Sequence, residues 1–138
     1  KHGPKESPKY ATSGSSGMDI KAAIEKPYLL KINERKIIPS GIKVEIPKGY
    51  EIQIRPRSGL ALKNGITILN SPGTIDSDYR GEIGIIMINH GDEDFLILPN
   101  DRIAQMVIAP VIYAEFIKVD KLKDTNRGEK GYGSTGKT

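Results

Sequence analysis

The chain has 138 residues, no Cys, no Trp, two His and a formal net charge of +4. That excludes a disulfide framework, a thiolate metal site, a cysteine nucleophile and a histidine metal cage, so any metal must be held by oxygen. Lys and Arg are scattered among acids rather than gathered in a block, which suits a small phosphorylated ligand as well as a nucleic acid.

One domain with a real core is expected at this length. Ile is abundant and aromatics are few, so β-branched aliphatics must fill the interior, and that favours strands. No apolar run approaches a membrane span and no signal-like segment leads the chain, so no membrane contact and a cytoplasmic place are expected, with nucleus or mitochondrion open in a eukaryote.

In chain order, residues 1–16 are rich in Lys, Pro, Ser and Gly and read as an arm. Residues 17–123 read as an all-β domain, because apolar residues come in short pulses between turn residues. The pulses are Asp19 to Ala23, Tyr28 to Ile32, Ile42 to Ile46, Glu51 to Arg55, Gly65 to Leu69, Glu82 to Asn89, Phe95 to Leu98, Arg102 to Val111 and Glu115 to Val119. Two of them, Ile42 to Ile46 and Glu51 to Arg55, alternate cleanly, with Ile52 and Ile54 on the face to be buried. The period breaks at Ser58 to Gly65, which predicts one short helix capped by Ser58 and closed by Gly65.

Three stretches carry chemistry. Arg55-Pro56-Arg57 runs into the helix start at Ser58, so cations, a hydroxyl and open N–H groups converge as an anion site. A surface ion pair for Arg57 and simple capping for Ser58 would explain the same residues. Asn70 to Asn89 reads as strand, polar bend, strand: a hairpin with Asp76, Asp78 and Tyr79 at its mouth. A carboxylate held there by rigid backbone can act as a general base, although Asp-Ser-Asp beside Gly is also ordinary turn chemistry. The last stretch, 124–138, holds too much Gly for helix or strand and reads as a phosphate-wrapping lid, with a plain tail as the alternative.

Five segments in order resemble the motifs of the trimeric dUTP pyrophosphatases, the dUTPases. They are Ser16-Gly17-Met18-Asp19-Ile20, Arg55-Pro56-Arg57-Ser58-Gly59-Leu60-Ala61 and Gly73-Thr74-Ile75-Asp76-Ser77-Asp78-Tyr79-Arg80-Gly81. Asp101-Arg102-Ile103-Ala104-Gln105-Met106 and Arg127-Gly128 with Gly131-Tyr132-Gly133-Ser134-Thr135-Gly136 complete the set. The resemblance implies a jelly-roll β fold, a homotrimer with each active site built from three subunits, and hydrolysis of dUTP to dUMP and pyrophosphate with Mg²⁺. That reaction keeps uracil out of DNA and supplies dUMP for thymidylate synthesis.

By the same resemblance, Asp76 is the base that activates water and Tyr79 selects deoxyribose. Asn70, with backbone around Gly81 to Ile83, reads uracil. Arg57, Ser58, Gly59 and Gln105 hold phosphates, and Asp19 reaches the metal through water. In the lid, Arg127 meets the γ-phosphate, Tyr132 stacks on uracil, and Gly133, Ser134 and Thr135 line the substrate. Asp78 is expected to cap the bend or meet Arg102.

Two positions depart from the family pattern. Lys130 stands where Gly is common, and Tyr132 where Phe is common. A strand usual in the family is not evident before Tyr10, so a natural start upstream of Lys1 is expected. The rivals are a dCTP deaminase, a dUTP-binding signalling protein and a nucleic-acid module. The segments at Ser58 and Asp76 favour dUTPase, and no direct nucleic-acid partner is expected.

Overall fold

A computed structural model of the chain describes residues 7–129 and 131. Nine strands and one helix follow in order: β1 (Met18–Lys21), β2 (Tyr28–Leu30), β3 (Arg35–Pro39), β4 (Tyr50–Arg55), α1 (Ser58–Asn64), β5 (Ile66–Ile68), β6 (Gly73–Ile75), β7 (Gly84–Asn89), β8 (Phe95–Ile97) and β9 (Arg102–Pro110). They form three antiparallel sheets, β1-β9-β4-β6, β3-β7-β5 and the pair β2-β8. The expected all-β architecture with one short helix is present.

The sheets share one core in which Ile does most of the packing. Ile20, Ile38, Ile66, Ile83, Ile85, Ile97 and Ile103 are essentially inaccessible, with Leu30 and Met87 among them. In β4, Ile52 and Ile54 are buried while Glu51 and Gln53 are half-buried and Arg55 exposed on the other face, as a period of two on a half-buried sheet demands. Ile52 sits opposite Ile108 on one side and Ile75 on the other, so one apolar row runs across three of the four strands of the largest sheet.

Five expectations are corrected. Arg35–Pro39 forms a strand that the sequence pattern hides, because only Ile38 is buried and the segment opens on two cations. Its order comes from β7, with which it pairs along its full length from Arg35 opposite Ile88 to Pro39 opposite Gly84. Conversely, Ile42 to Ile46 keeps its alternation, with Ile42, Val44 and Ile46 packed on the core, yet forms no strand within this chain. Periodicity marks which face is buried, whereas a strand also needs a neighbour.

Glu115 to Val119 likewise forms no strand and lies open, Phe116 being 96% and Ile117 80% accessible. Ser58 is the first residue inside α1 rather than its cap; Arg57 holds that place and makes no side-chain capping bond. Gly65 does close the helix, at φ 66°, and a Cβ there would also stand 2.4 Å from the Gly91 nitrogen.

The fifth correction concerns the acidic bend. Its flanking strands do not pair with each other: β6 joins β4, while β7 joins β3 and β5. The strand that leads into the stretch, β5, does pair antiparallel with β7, which leads out of it, so the chain folds back as a wide hairpin whose inserted strand β6 is lent to the largest sheet.

Candidate functional site

At one corner of the largest sheet, three separated segments are tied together. Asp19 in β1 lies opposite Gln105 in β9, which lies opposite Arg55 in β4. Immediately after β4 the chain turns through Pro56 and Arg57 into α1, so Arg57 projects back over the row. Its Nε is 3.3 Å from Asp19 Oδ1, and its Nη1 donates to the Arg102 carbonyl at 2.8 Å. Arg102 Nη1 in turn donates to Asp19 Oδ2 at 3.2 Å. Gln105 Nε2 donates to the Pro56 carbonyl at 3.0 Å, which ties β9 to the loop just before Ser58 and Gly59. Both of these last residues are exposed at the start of the helix, and nothing lies within 4 Å of a Cβ built on Gly59. A ligand could therefore approach that backbone closely.

The other corner holds the acids of the bend. Asp76 and Asp78 are exposed, and Asp76 faces an open cleft of about 760 Å³ that Glu45, Lys48, Arg80 and Tyr113 also line. The bend is closed by its own backbone: Tyr79 N–H donates to the Asp76 carbonyl at 3.2 Å, and Arg80 Nη1 donates to the Ser77 and Tyr79 carbonyls at 2.8 and 3.0 Å. Tyr79 lies over Gly81 and donates its hydroxyl to the Glu82 carbonyl at 3.0 Å. A Cβ on Gly81 would fall 2.2 Å from that hydroxyl, so Gly81 makes room for the ring. Asn70 lies beside Gly73, where a Cβ would meet its Nδ2 at 3.3 Å.

Two expected details differ. Ile83 N–H is taken by the Ile42 carbonyl at 2.9 Å, so of the backbone groups named for base reading this one is already used. Arg102 pairs with Asp19 rather than Asp78. Its place in the fourth motif marked Arg102 in the sequence, but the partner depends on β1 and β9 being neighbours, which local pattern cannot reveal.

The two corners are diagonal. Asp76 follows Ile75, whose partner Ile52 is three residues before Arg55. Asp76 is thus about 14 Å from the Asp19 row along the strands. It is also three strand spacings away, again about 14 Å, since β1 and β6 are opposite edges of the sheet. Within one chain, then, the structure groups Asp19, Arg57, Ser58, Gly59 and Gln105, and separately Asp76 with Tyr79. Arg127 sits in the exposed segment after β9, and Tyr132, Gly133, Ser134 and Thr135 lie outside the described residues, as does Lys130.

Fold and site define a class: a small all-β protein with one corner where two guanidiniums meet a carboxylate and one acidic bend. A family model described as dUTPase matches residues 4–136. The chain belongs to the dUTPase family. A deoxyuridine 5'-triphosphate nucleotidohydrolase of Chlamydia pneumoniae is 59% identical over 95% of this chain and 91% of its own length. One of the same name from Treponema denticola is 60% identical over 94% of this chain and 90% of its own. Among solved structures, a Staphylococcus bacteriophage 80alpha dUTPase variant with dUpNHpp matches with a TM-score of 0.81 at 28% identity, covering 99% of this chain and 96% of that one. A variant of the dUTPase from phage phi11 of S. aureus, described as revealing a structural Mg(II) ion, matches with a TM-score of 0.75 at 25% identity, covering 84% and 90%.

Proposed function

We propose that this protein hydrolyses dUTP to dUMP and pyrophosphate at sites shared between the chains of a homotrimer. The observation that carries the shared site is the diagonal separation of Asp76 from the Asp19–Arg57–Gln105 corner within one chain. A triphosphate cannot touch both corners of one chain at once, but the bend of one subunit can face the cationic corner of the next. The exposed apolar run holding Ile112, Phe116, Ile117 and Leu122 supports assembly, because a stretch that apolar is covered in a working protein. The relatives' shared name and the dUpNHpp held by the phage enzyme support dUTP as the substrate.

In this mechanism Asp76 takes a proton from water as the water oxygen bonds to the α-phosphorus and the bond to the β-phosphate oxygen breaks. General-base action of that kind contributes roughly 10²–10⁴-fold. Arg57, the Ser58 hydroxyl, the Gly59 N–H and Gln105 hold the phosphate oxygens on which charge grows, and each well-aimed donor contributes a further factor of about 10²–10³. Tyr79 lies where a ribose 2′-hydroxyl would need space, and Asn70 reads the uracil edge. Arg127, Tyr132, Gly133, Ser134 and Thr135 close over the substrate and exclude water. Residues 1–16 act as an arm, 17–123 as the β-domain and 124–138 as the lid.

The residues fit Mg²⁺ carried by the substrate rather than a metal caged by protein. No cluster of three His, Cys, Asp or Glu able to hold an ion occurs among the described residues, but Asp19 offers a hard, part-exposed carboxylate beside the phosphate-gripping Arg57. Mg²⁺ keeps several waters and is bound through one or two carboxylates plus phosphates, which matches that donor set. When bound, the ion supplies charge neutralisation along the triphosphate. A cytoplasmic place goes with the bacterial relatives.

The test is pyrophosphate release from dUTP, dCTP, dTTP and UTP, with and without Mg²⁺. Only dUTP should be turned over quickly, and only with the metal. Equal rates on all four would refute the specificity, and tight dUTP binding with no turnover would point to a signalling protein.

A further inference from the structure

Arg57, Asp19 and Arg102 form a closed triangle. Each pair is in contact: Arg57 Nε to Asp19 Oδ1 at 3.3 Å, Arg102 Nη1 to Asp19 Oδ2 at 3.2 Å, and Arg57 Nη1 to the Arg102 carbonyl at 2.8 Å. One carboxylate is thus divided between two guanidiniums, one oxygen to each. The two guanidiniums differ in their surroundings. Arg57 is the more enclosed, 28% accessible at the side chain, and belongs to the loop entering α1; Arg102 is 57% accessible and is the first residue of β9. The register of β1 slips between Ile20 and Lys21, which sets Lys21 directly opposite Arg102. Lys21 lines the same shallow cleft as Asp19 and Arg102, so the surroundings of Asp19 are cationic.

A phosphate that engages the remaining N–H groups of Arg57 competes with Asp19 for the same guanidinium charge and loosens their 3.3 Å contact. Without a second partner the Asp19 carboxylate would then be left to swing. We propose that Arg102 is a positioning residue: it keeps hold of Asp19 through Oδ2 when Arg57 turns to the triphosphate, aiming Oδ1 at the water shell of the substrate's Mg²⁺. In the substrate-free chain the same carboxylate holds Arg57 ready, so the pair works as an exchange of partners. This inference rests on the dUTP reading above. Arg102 touches neither substrate nor reacting atoms; it acts through Asp19, and outer partners of metal-facing ligands characteristically matter in this way.

The test is binding of non-hydrolysable dUpNHpp by calorimetry, with and without Mg²⁺, to the full chain and to R102Q, R102K, D19N and the R102Q/D19N double variant. The Arg102 carbonyl that holds Arg57 is backbone and survives every substitution. In R102Q the gain in affinity that Mg²⁺ confers should fall by roughly 10-fold or more, with metal-free affinity nearly unchanged. R102K should retain part of that gain, and the double variant should be no worse than D19N, because both changes break one contact. If R102Q fails to fold, R102K and D19N carry the comparison.

An equal loss of affinity with and without Mg²⁺ would make Arg102 merely structural and overturn the proposal. A Mg²⁺-dependent wild type whose R102Q variant keeps the full metal gain overturns it alone. A wild type that binds the analogue equally with and without Mg²⁺ overturns the parent reading as well.

Discussion

The two diagonal corners of the largest sheet are built by opposite means. At the Asp19 corner, long side chains from three segments are knitted to one another, with Asp19 serving Arg57 and Arg102 together. At the Asp76 corner the backbone does the holding: Tyr79 N–H closes the bend and Arg80 ties down its carbonyls, while the Asp76 side chain faces an open cleft. The difference follows from what the proposed mechanism asks of each corner. Flexible cations meant for phosphate need an anion to keep them in place until the ligand comes, since an ordered guanidinium binds at less entropic cost. A base must reach a water, so its carboxylate is best left unclaimed and its position set by the main chain.

The sharpest way to break this comparison is to remove the acid while leaving the grip. D76N should lower the rate of pyrophosphate release from dUTP by roughly 10²–10⁴-fold with dUpNHpp affinity changed only slightly. If D78N does this instead, the wrong acid of the bend has been assigned. R57Q attacks the other corner and should be nearly inactive through lost phosphate binding. Refolding D76N and R57Q chains together then asks whether the corners meet across subunits. Random mixing gives about one quarter of sites with both residues intact if Asp76 and Arg57 come from different chains of a trimer. Activity should therefore rise from near zero to about that fraction of wild type. If both residues served the same chain's site, mixing two dead variants would restore nothing.

Much of this arrangement was legible in the residues and some was not, for physical reasons. Alternation in Glu51 to Arg55 and the break at Ser58 to Gly65 are local signals, and β4 and α1 appear where they point. The strand at Arg35–Pro39 carries no such signal, because its order is lent by β7. Ile42 to Ile46 shows the reverse, a true in–out pattern without a neighbour in the chain. At the site, motif residues such as Arg57 and Gln105 were identifiable by type, and they do converge. That Gly73–Ile75 joins β4 and not β7 is a choice between distant partners, and so the division into two corners could not be read from spacing. The same holds for Arg102 and its bond to Asp19, 83 residues away in sequence.

Between the corners lies the Ile core, which sets their spacing. Ile85 in β7 is wholly buried among its neighbours. Ile85→Ala should cost about 2–5 kcal/mol in urea unfolding, read as a shift in midpoint at constant slope. If the core merely fixes the frame, the folded variant keeps its preference for dUTP over dCTP and UTP, and only its stability falls. A changed preference would mean that the bend is tuned by packing behind it, which would weaken the view that its own backbone holds it.

The smallest effect is a control away from both corners. The Tyr28 hydroxyl donates to Glu34 Oε1, the Lys31 N–H donates to Oε2 at 2.9 Å, and Lys36 Nζ stands 5.1 Å from the centre of the Tyr28 ring. The Tyr28 hydrogen bond, and then the Lys31 N–H, hold the Glu34 carboxyl below its ordinary value of 4.5, while the same bond to Glu34 raises Tyr28 above 10.0. The signs differ. Glu34 contributes stability at pH above its ordinary value and loses it as pH falls through the lowered folded value; Tyr28 contributes below its ordinary value and loses it as pH rises through the raised one. Replacing Glu34 by Gln keeps the shape and removes the charge. Its Tm should therefore lie slightly below wild type near neutral pH, and the gap should close as pH falls through the lowered Glu34 value and the wild-type carboxyl is protonated as well. Because the clip touches neither Asp19 nor Asp76, the variant's dUTP turnover at neutral pH should match wild type. A Tm gap that stays constant down to low pH would show that packing, and not the charge on Glu34, sets its contribution.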